Sequence, residues 1–169
     1  MRPSPAEYAA PHQGYVELVP EEEILPAIEA QSTDTQKLLA TLDETRGLYR
    51  YGDAKWSVKE VLGHIADSER ILSYRALAIA RGETQPLPGY DEDEYVRTAS
   101  FDSWKLGDLS EYYALVRRAT IVFFRNLPEE AWMRSGTANG FPVTVRGLAW
   151  VIVGHERHHL KVLRDRYKV

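Results

Sequence analysis

The chain has 169 residues, a length that suits one domain with a hydrophobic core better than two. Its net charge is −4 and its lysines and arginines are scattered rather than clustered, which argues against binding to nucleic-acid phosphates. Because it contains no cysteine, disulfides, iron–sulfur clusters and a protein thiol nucleophile are excluded, and any bound metal must be held by nitrogen and oxygen atoms.

Residues 1–20 are expected to form an arm that frays or packs loosely, because they are rich in proline and lack hydrophobic periodicity. They contain no apolar segment typical of a secretory signal. The longest apolar run, Gly147 to Gly154, is far shorter than the roughly 20 residues of a membrane span. We therefore expect an intracellular, cytoplasmic protein without a membrane segment, built from the arm and one domain over residues 21–169.

The helical spacing of apolar residues predicts four long helices in this domain. The second is the clearest, since Ser57 and Glu60 form a capping-box pattern at its start and Gly82 suits a left-handed conformation at its end. The predicted helices cover approximately residues 21–42, 57–82, 108–126 and 144–167.

The connections complete the predicted architecture. A long loop, from about Glu83 to Lys105, carries prolines and an acidic cluster, and loops of this length are more often functional or disordered than incidental. A short helical turn is expected at 128–133 and a glycine-containing turn at 135–142, and no strand pattern competes. The sequence therefore predicts an all-α four-helix bundle in which, for a simple up-and-down arrangement, the second and fourth helices run parallel.

Two histidines on the fourth predicted helix point to metal binding. His155 and His159 are four residues apart on the stripe of apolar residues that faces the interior, so both imidazoles can reach one metal ion. His64, at the edge of the apolar face of the second helix, is the candidate third ligand. The alternative is that the histidines are polar core or surface residues without a metal, and His158 and His12 are expected to be uninvolved.

Several segments resemble the DinB/YfiT superfamily, whose members are taken to be metalloenzymes. The resemblance covers nearly everything after the arm, in segments that keep their order and spacing: 56–67 (WSVKEVLGHIAD), 87–92 (LPGYDE), 127–132 (LPEEAW), 143–148 (VTVRGL) and 155–159 (HERHH). It implies a four-helix bundle that holds one divalent metal ion, often nickel or zinc, on three histidines. In this chain those are His64, in the W-S-x-x-E-x-x-x-H segment, and the pair His155 and His159.

Three neutral imidazoles would leave a coordination position open, as in catalytic metal sites. A metal there can activate water for hydrolysis of a small substrate, or a low-molecular-weight thiol for transfer or isomerisation, as relatives in this superfamily are understood to do. A thiol-dependent S-transferase, a small-molecule hydrolase and a non-catalytic, stress-related metal-binding bundle therefore all remain open.

Further residues are candidates for the site. Glu60 and Asp91 are the candidate catalytic carboxylates, although the capping box explains Glu60 better. Asp67 and Asp91 could accept a hydrogen bond from a ligand imidazole. Aromatic residues that could line the pocket mouth are Trp56, Tyr90, Tyr95 and Trp104.

The third predicted helix is apolar on more than one side. Tyr112, Tyr113, Phe123 and Phe124 contribute to this, and contact with the arm is the rival explanation. Because two-fold pairing is the commonest form of association, a homodimer is expected.

Overall fold

The computed structural model describes all 169 residues and is predominantly helical, with one small two-stranded sheet. Four long helices, α2, α4, α6 and α7, form the predicted four-helix bundle, so the fold class is confirmed. No helix is both long enough and apolar enough to cross a membrane. The elements are α1 Gln13–Glu17, α2 Ile24–Leu39, α3 Glu44–Gly47, α4 Val58–Ala80, α5 Glu92–Ala99, α6 Leu106–Arg125, β1 Ser135–Ala138, β2 Phe141–Thr144 and α7 Val145–Val162.

Local sequence signals set the ends of the two helices that carry histidines. The Ser57 side chain accepts a hydrogen bond from the backbone N–H of Glu60, and the Glu60 carboxylate accepts one from the Ser57 N–H, as the capping-box pattern predicts. The Thr144 hydroxyl caps α7 by accepting from the N–H of Gly147. Gly82, just beyond α4, has a φ of +90°, a conformation that favours glycine.

The two histidine-bearing helices are antiparallel, which corrects the parallel arrangement expected from the sequence. Beyond the end of α7, the Tyr167 hydroxyl donates a 2.6 Å hydrogen bond to the carbonyl of Trp56, just before α4 begins. At the opposite end, Arg134 donates to the carbonyl of Ala80, and the N–H of Val145 donates to the carbonyl of Arg134. The start of α7 therefore lies beside the end of α4.

The long connection after α4 is a crossover that returns along the outside of that helix. The Arg75 guanidinium donates to the Pro88 carbonyl, the Phe101 ring packs against Gly63, and the Ser57 hydroxyl donates to the Asp102 carboxylate. The chain thus re-enters the bundle beside the start of α4, so α6 runs parallel to α4. This crossover also contains the helix α5, where the sequence indicated only a loop.

A short hairpin precedes α7, where the sequence predicted only a turn. β1 and β2 are antiparallel, with Ser135 opposite Thr144 and Ala138 opposite Phe141. The two loop residues, Asn139 and Gly140, both have positive φ, as a two-residue hairpin loop requires. Four-residue strands are too short to produce a clear alternation, but the Asn-Gly pair was a usable signal.

The first 20 residues pack closely on α7, in contrast to the loose arm that was expected. Val16 and Val19 are buried, and the Glu7 carboxylate accepts hydrogen bonds from Arg146 and from the Thr144 hydroxyl. Proline content and absent periodicity do not reveal contacts that are made by single residues across the fold. The division into an arm and a domain over residues 21–169 stays a prediction.

A buried polar cluster joins all four bundle helices. Arg117 on α6 is fully buried between the carboxylates of Glu69 on α4, at 2.7 Å, and Glu156 on α7. The Glu156 carboxylate also accepts hydrogen bonds from Gln31 and Thr35 on α2 and from the Tyr113 hydroxyl. Removing one member would leave a buried charge unpaired, so the cluster constrains how α7 is rotated in the bundle.

Candidate metal centre

Three histidine side chains from α4 and α7 converge inside the bundle. The Nε2 atom of His155 lies 3.0 Å from Nε2 of His64 and 3.1 Å from Nε2 of His159. Their ligand atoms all lie within 4.8 Å of one another. His64 and His155 are buried and His159 is half-buried. The structure thus brings together the three residues singled out in the sequence.

This convergence fits a shared cation better than hydrogen bonding among the rings. A neutral imidazole has one donor and one acceptor nitrogen, so the single lone pair of His155 Nε2 cannot bond well to both neighbours. Nitrogen ligands about 2.1 Å from one ion are separated by roughly 3.0–3.5 Å, which matches both observed separations. The donor set therefore suits a divalent metal ion.

The environment keeps these imidazoles neutral, the form that binds metals. Burial lowers the pKa of His64 to about 4 and that of His159 to about 3. Burial, followed by the neighbouring His159 and His64, lowers the pKa of His155 well below its ordinary value. No proton therefore competes with a metal ion for these nitrogens near neutral pH.

A hydrogen-bond relay connects His64 to the crossover. The Ser68 hydroxyl is 3.4 Å from Nδ1 of His64 and 2.9 Å from the hydroxyl of Tyr90. The Trp56 ring packs against His64 with ring centroids 4.7 Å apart. Groups that contact the far side of an imidazole set its orientation and tautomer, so these residues help to aim Nε2 at the centre.

The histidines form one wall of a cavity of about 420 Å³. This volume lies within the usual range for small-molecule sites. A larger groove between α4 and α6 contains none of the histidines. The residues around the cavity come from the arm, the loop before α4, α4 itself, the crossover, the hairpin and α7. They are Pro11, His12, Tyr15, Trp56, His64, Ser68, Leu72, Arg75, Tyr90, Glu92, Asn139, Val151, His155, His158 and His159.

Two aromatic candidates from the sequence line this cavity, Trp56 and Tyr90. Tyr95 packs on the Tyr90 ring from outside, with centroids 5.0 Å apart, and is half-exposed. Trp104 packs against Phe101 and Tyr112 on the outer side of α4.

The three candidate carboxylates are engaged elsewhere. Glu60 completes the capping box and pairs with Arg50. Asp67 accepts a 2.6 Å hydrogen bond from the Tyr112 hydroxyl, on the side of α4 that faces α6. Asp91 is exposed and caps α5 by accepting from the N–H of Glu94. None of the three lines the cavity.

The arm and Arg75 were not predicted as parts of the site, and His12 and His158, which were expected to be uninvolved, also line the cavity. The Tyr15 ring contacts His155 and His158 edge-on, with centroids 5.3 and 5.4 Å away, and His12 lies beside it. No local pattern indicates that these arm residues reach α7. Arg75 could have been found, because it lies eleven residues after His64, three turns further along the same helix face.

The fold and the histidine group together define a four-helix-bundle protein with a three-histidine centre beside a cavity. The chain belongs to the DinB superfamily, whose sequence profile matches residues 27–163. No curated protein sequence matches the chain significantly.

Solved structures share the fold at low sequence identity. YfiT from Bacillus subtilis, described as a probable metal-dependent hydrolase with an unusual four-helix bundle topology, is 16% identical, with a TM-score of 0.70 over 99% of this chain and 92% of that one. A mycothiol-dependent maleylpyruvate isomerase is 18% identical, with a TM-score of 0.69 over 86% of this chain and 61% of the isomerase. A histidine-to-alanine variant of that isomerase superposes with the same TM-score and coverage.

Proposed function

We propose that His64, His155 and His159 bind one divalent metal ion, zinc or nickel, and that the protein uses it to catalyse a reaction of a small molecule with a low-molecular-weight thiol. One observation carries this proposal: the three Nε2 atoms converge at the wall of a cavity large enough for a small substrate. A divalent ion held there would acidify a thiol or a water molecule that binds it.

The other cavity residues favour a thiol as the partner. Glu92 is the only acidic residue among them, and it is exposed at the rim, so no buried carboxylate is available as a general base. A thiol that binds a metal ion needs little help from such a base, because it is already deprotonated there. The solved isomerase with this fold is named as dependent on the thiol mycothiol, which is consistent with this choice.

Hydrolysis is the second candidate, and His158 is the residue that favours it. This half-buried histidine lines the cavity, with its ring centroid 5.0 Å from that of His159, and burial lowers its pKa. A neutral imidazole in this place can accept a proton from an attacking water molecule. YfiT, which matches over nearly the whole chain, is described as a probable metal-dependent hydrolase.

A cavity beside the histidines argues against a purely structural metal, which would be enclosed by four protein ligands. Glu92 is the only carboxylate among the residues around the cavity, and it is exposed at the rim, so no fourth protein ligand is evident. We therefore propose a catalytic role rather than a non-catalytic, stress-related one.

The test uses zinc-loaded protein with an activated ester, an alkylating electrophile and a panel of small thiols that includes cysteine and glutathione. We expect product to form only when a thiol is present. Product formation should be lost in the His155→Ala variant and in metal-free protein. Ester hydrolysis without thiol, lost in the same controls, would support the second candidate. The catalytic proposal is contradicted if wild type and His155→Ala give equal rates in every reaction.

The homodimer predicted from the sequence is retained as a proposal. Tyr113 and Phe124 are buried inside the bundle, so they cannot form the dimer contact that was expected of the third predicted helix, α6. The apolar side chains that are exposed around the groove between α4 and α6 are Tyr74, Leu77 and Leu115.

A further inference from the structure

Arg75 presents a buried positive charge to the cavity beside the histidines. Its residue exposure is 5%, and it is one of the residues that line the cavity. The only hydrogen bond that it donates within the protein goes to the Pro88 carbonyl, at 2.7 Å. The remaining N–H groups of the guanidinium have no protein partner.

No carboxylate lies within ion-pairing distance of Arg75. Its guanidinium carbon lies 5.8 Å from the centre of the Tyr90 ring, a neutral partner. Arg117, the other buried arginine of the chain, is by contrast held between two carboxylates. A buried charge without a counter-ion is costly, and such charges are normally paired. Burial accordingly lowers the pKa of Arg75.

The position of Arg75 relative to the histidines follows from helix geometry. His64, Ser68, Leu72 and Arg75 form one stripe along α4, and all four line the cavity. Eleven residues separate His64 from Arg75, which is roughly 16 Å along the helix axis. Side chains on a helix lean toward its N-terminus, so the long arginine side chain reaches back toward His64.

We propose that Arg75 binds the carboxylate of a small molecule whose reactive group lies at the three histidines. A guanidinium with free N–H groups pairs with a carboxylate through two parallel hydrogen bonds. Arg75 is the only arginine or lysine around the cavity, so one negative charge, rather than the two of a phosphate group, matches it. This inference rests on the proposed metal site, and the carboxylate can belong to the substrate or to the thiol.

Whether the carboxylate belongs to the substrate is tested with hydroxamates, which bind metal ions through one end of the molecule. A series that ends in a carboxylate is compared with a series of equal length that ends in a methyl group, on zinc-loaded protein, by calorimetry. Wild type is expected to bind the carboxylate series at least about tenfold more tightly at one chain length, since hydrogen bonds between charged groups are strong. Arg75→Met is expected to lose this preference and Arg75→Lys to keep part of it.

Whether the carboxylate belongs to the thiol is tested by comparing the binding of mercaptocarboxylates with that of mercaptoalcohols of the same length. If Arg75→Met reduces the preference for a carboxylate more strongly among the hydroxamates, the substrate carries the carboxylate. If it reduces that preference more strongly among the mercapto compounds, the thiol carries it. Arg70→Met is the matched control, because it removes the same charge from an exposed position of α4 outside the cavity. It should behave as wild type in both series.

Equal preference for the carboxylate in wild type and Arg75→Met would overturn the proposal, as would no preference at any chain length. Failure of the metal site gives a different result: the methyl-ended hydroxamates would then not bind at all. In that case thermal stabilisation of metal-free protein by glutarate decides the role of Arg75. Stabilisation that Arg75→Met loses and Arg70→Met keeps would support the role, and no stabilisation of wild type would reject it.

Discussion

At the scale of single residues, two adjacent residues on α7 face different surroundings. His155 faces the cavity, whereas the next residue, Glu156, faces Arg117 in the buried polar cluster. A helix turns by about 100° per residue, so holding the Glu156 carboxylate also holds the direction of the His155 ring. Sequence spacing alone was enough to select His155 and His159, because a separation of four residues aligns them on one face.

The Ser68 hydroxyl gives a prediction at this scale. Ser68→Ala removes the group next to Nδ1 of His64, so the imidazole loses a partner that orients it. We expect zinc affinity to fall by about tenfold, at the lower end of the effect usual for such outer groups, because the contact is long. The measurement is a competition titration against a chromophoric chelator.

Ser73→Ala is the control for this substitution. Ser73 lies on the same helix, hydrogen-bonds only to the carbonyl of Arg70 and does not line the cavity. It should bind zinc as wild type does. Equal affinities for Ser68→Ala and wild type would show that the relay does not support the metal site.

At the scale of elements, the arm lies against α7 through two glycines. A Cβ atom at Gly147 would overlap the Glu7 carbonyl, and a Cβ at Gly154 would overlap the Tyr15 carbonyl. These glycines are seven residues apart and lie on the same face of the helix. Their small size lets the backbone of the arm approach closely enough for Tyr15 to reach His155.

Gly154→Ala should therefore displace α1. The methyl group meets backbone rather than a flexible side chain, so we expect a loss of about 1–3 kcal/mol in the free energy of unfolding. Urea denaturation measures the loss, and limited proteolysis reports faster cleavage within the arm. Gly14→Ala, where the added methyl group meets nothing, should be neutral or slightly stabilising. Similar behaviour of the two variants would argue against the close approach.

The pairing of Glu7 with Arg146 makes docking of the arm dependent on pH. Burial alone would raise the pKa of Glu7, but hydrogen bonds from Arg146, Ser4 and Thr144 outweigh it and lower the pKa to about 2. Since the folded-state pKa lies below the ordinary value of 4.5, the stabilisation is fully present above that value. It is lost progressively as the pH falls from there toward 2.

Glu7→Gln should accordingly reduce the free energy of unfolding by about 1–3 kcal/mol near neutral pH. The gap to wild type should narrow as the pH falls below 4.5. Urea denaturation at a series of pH values measures both effects. Glu17→Gln is the control, because Glu17 is exposed and its carboxylate accepts a hydrogen bond only from the Gln13 side chain. A constant gap at all pH values would contradict the assigned pairing.

The elements differ in how far they could be predicted. The helix caps at Ser57 and Thr144 could be predicted, because capping depends on residues within one turn. The direction of α7 relative to α4 could not be predicted, since it depends on how far along α4 the crossover extends before α6 begins. The docking of the arm depends on single contacts such as Glu7 to Arg146, which are 139 residues apart in sequence.

At the scale of the whole molecule, the crossover explains why the site is enclosed. The segment between α4 and α6 must return along the length of α4, and on the way it places Tyr90 and Glu92 at the cavity and the Pro88 carbonyl against Arg75. The arm closes another side through Tyr15. The cavity is therefore built from the arm, α4 and the residue Trp56 before it, the crossover, the hairpin and α7, although the three histidines come from only two helices.

The central claim is that one metal ion binds at these histidines, and the metal content of protein purified without a metal-binding tag tests it most directly. Wild type and His158→Ala, which alters a cavity residue outside the histidine group, should each hold about one zinc or nickel ion per chain after dialysis. His64→Ala and His155→Ala should hold almost none. Equal metal content in wild type and His155→Ala would contradict the account.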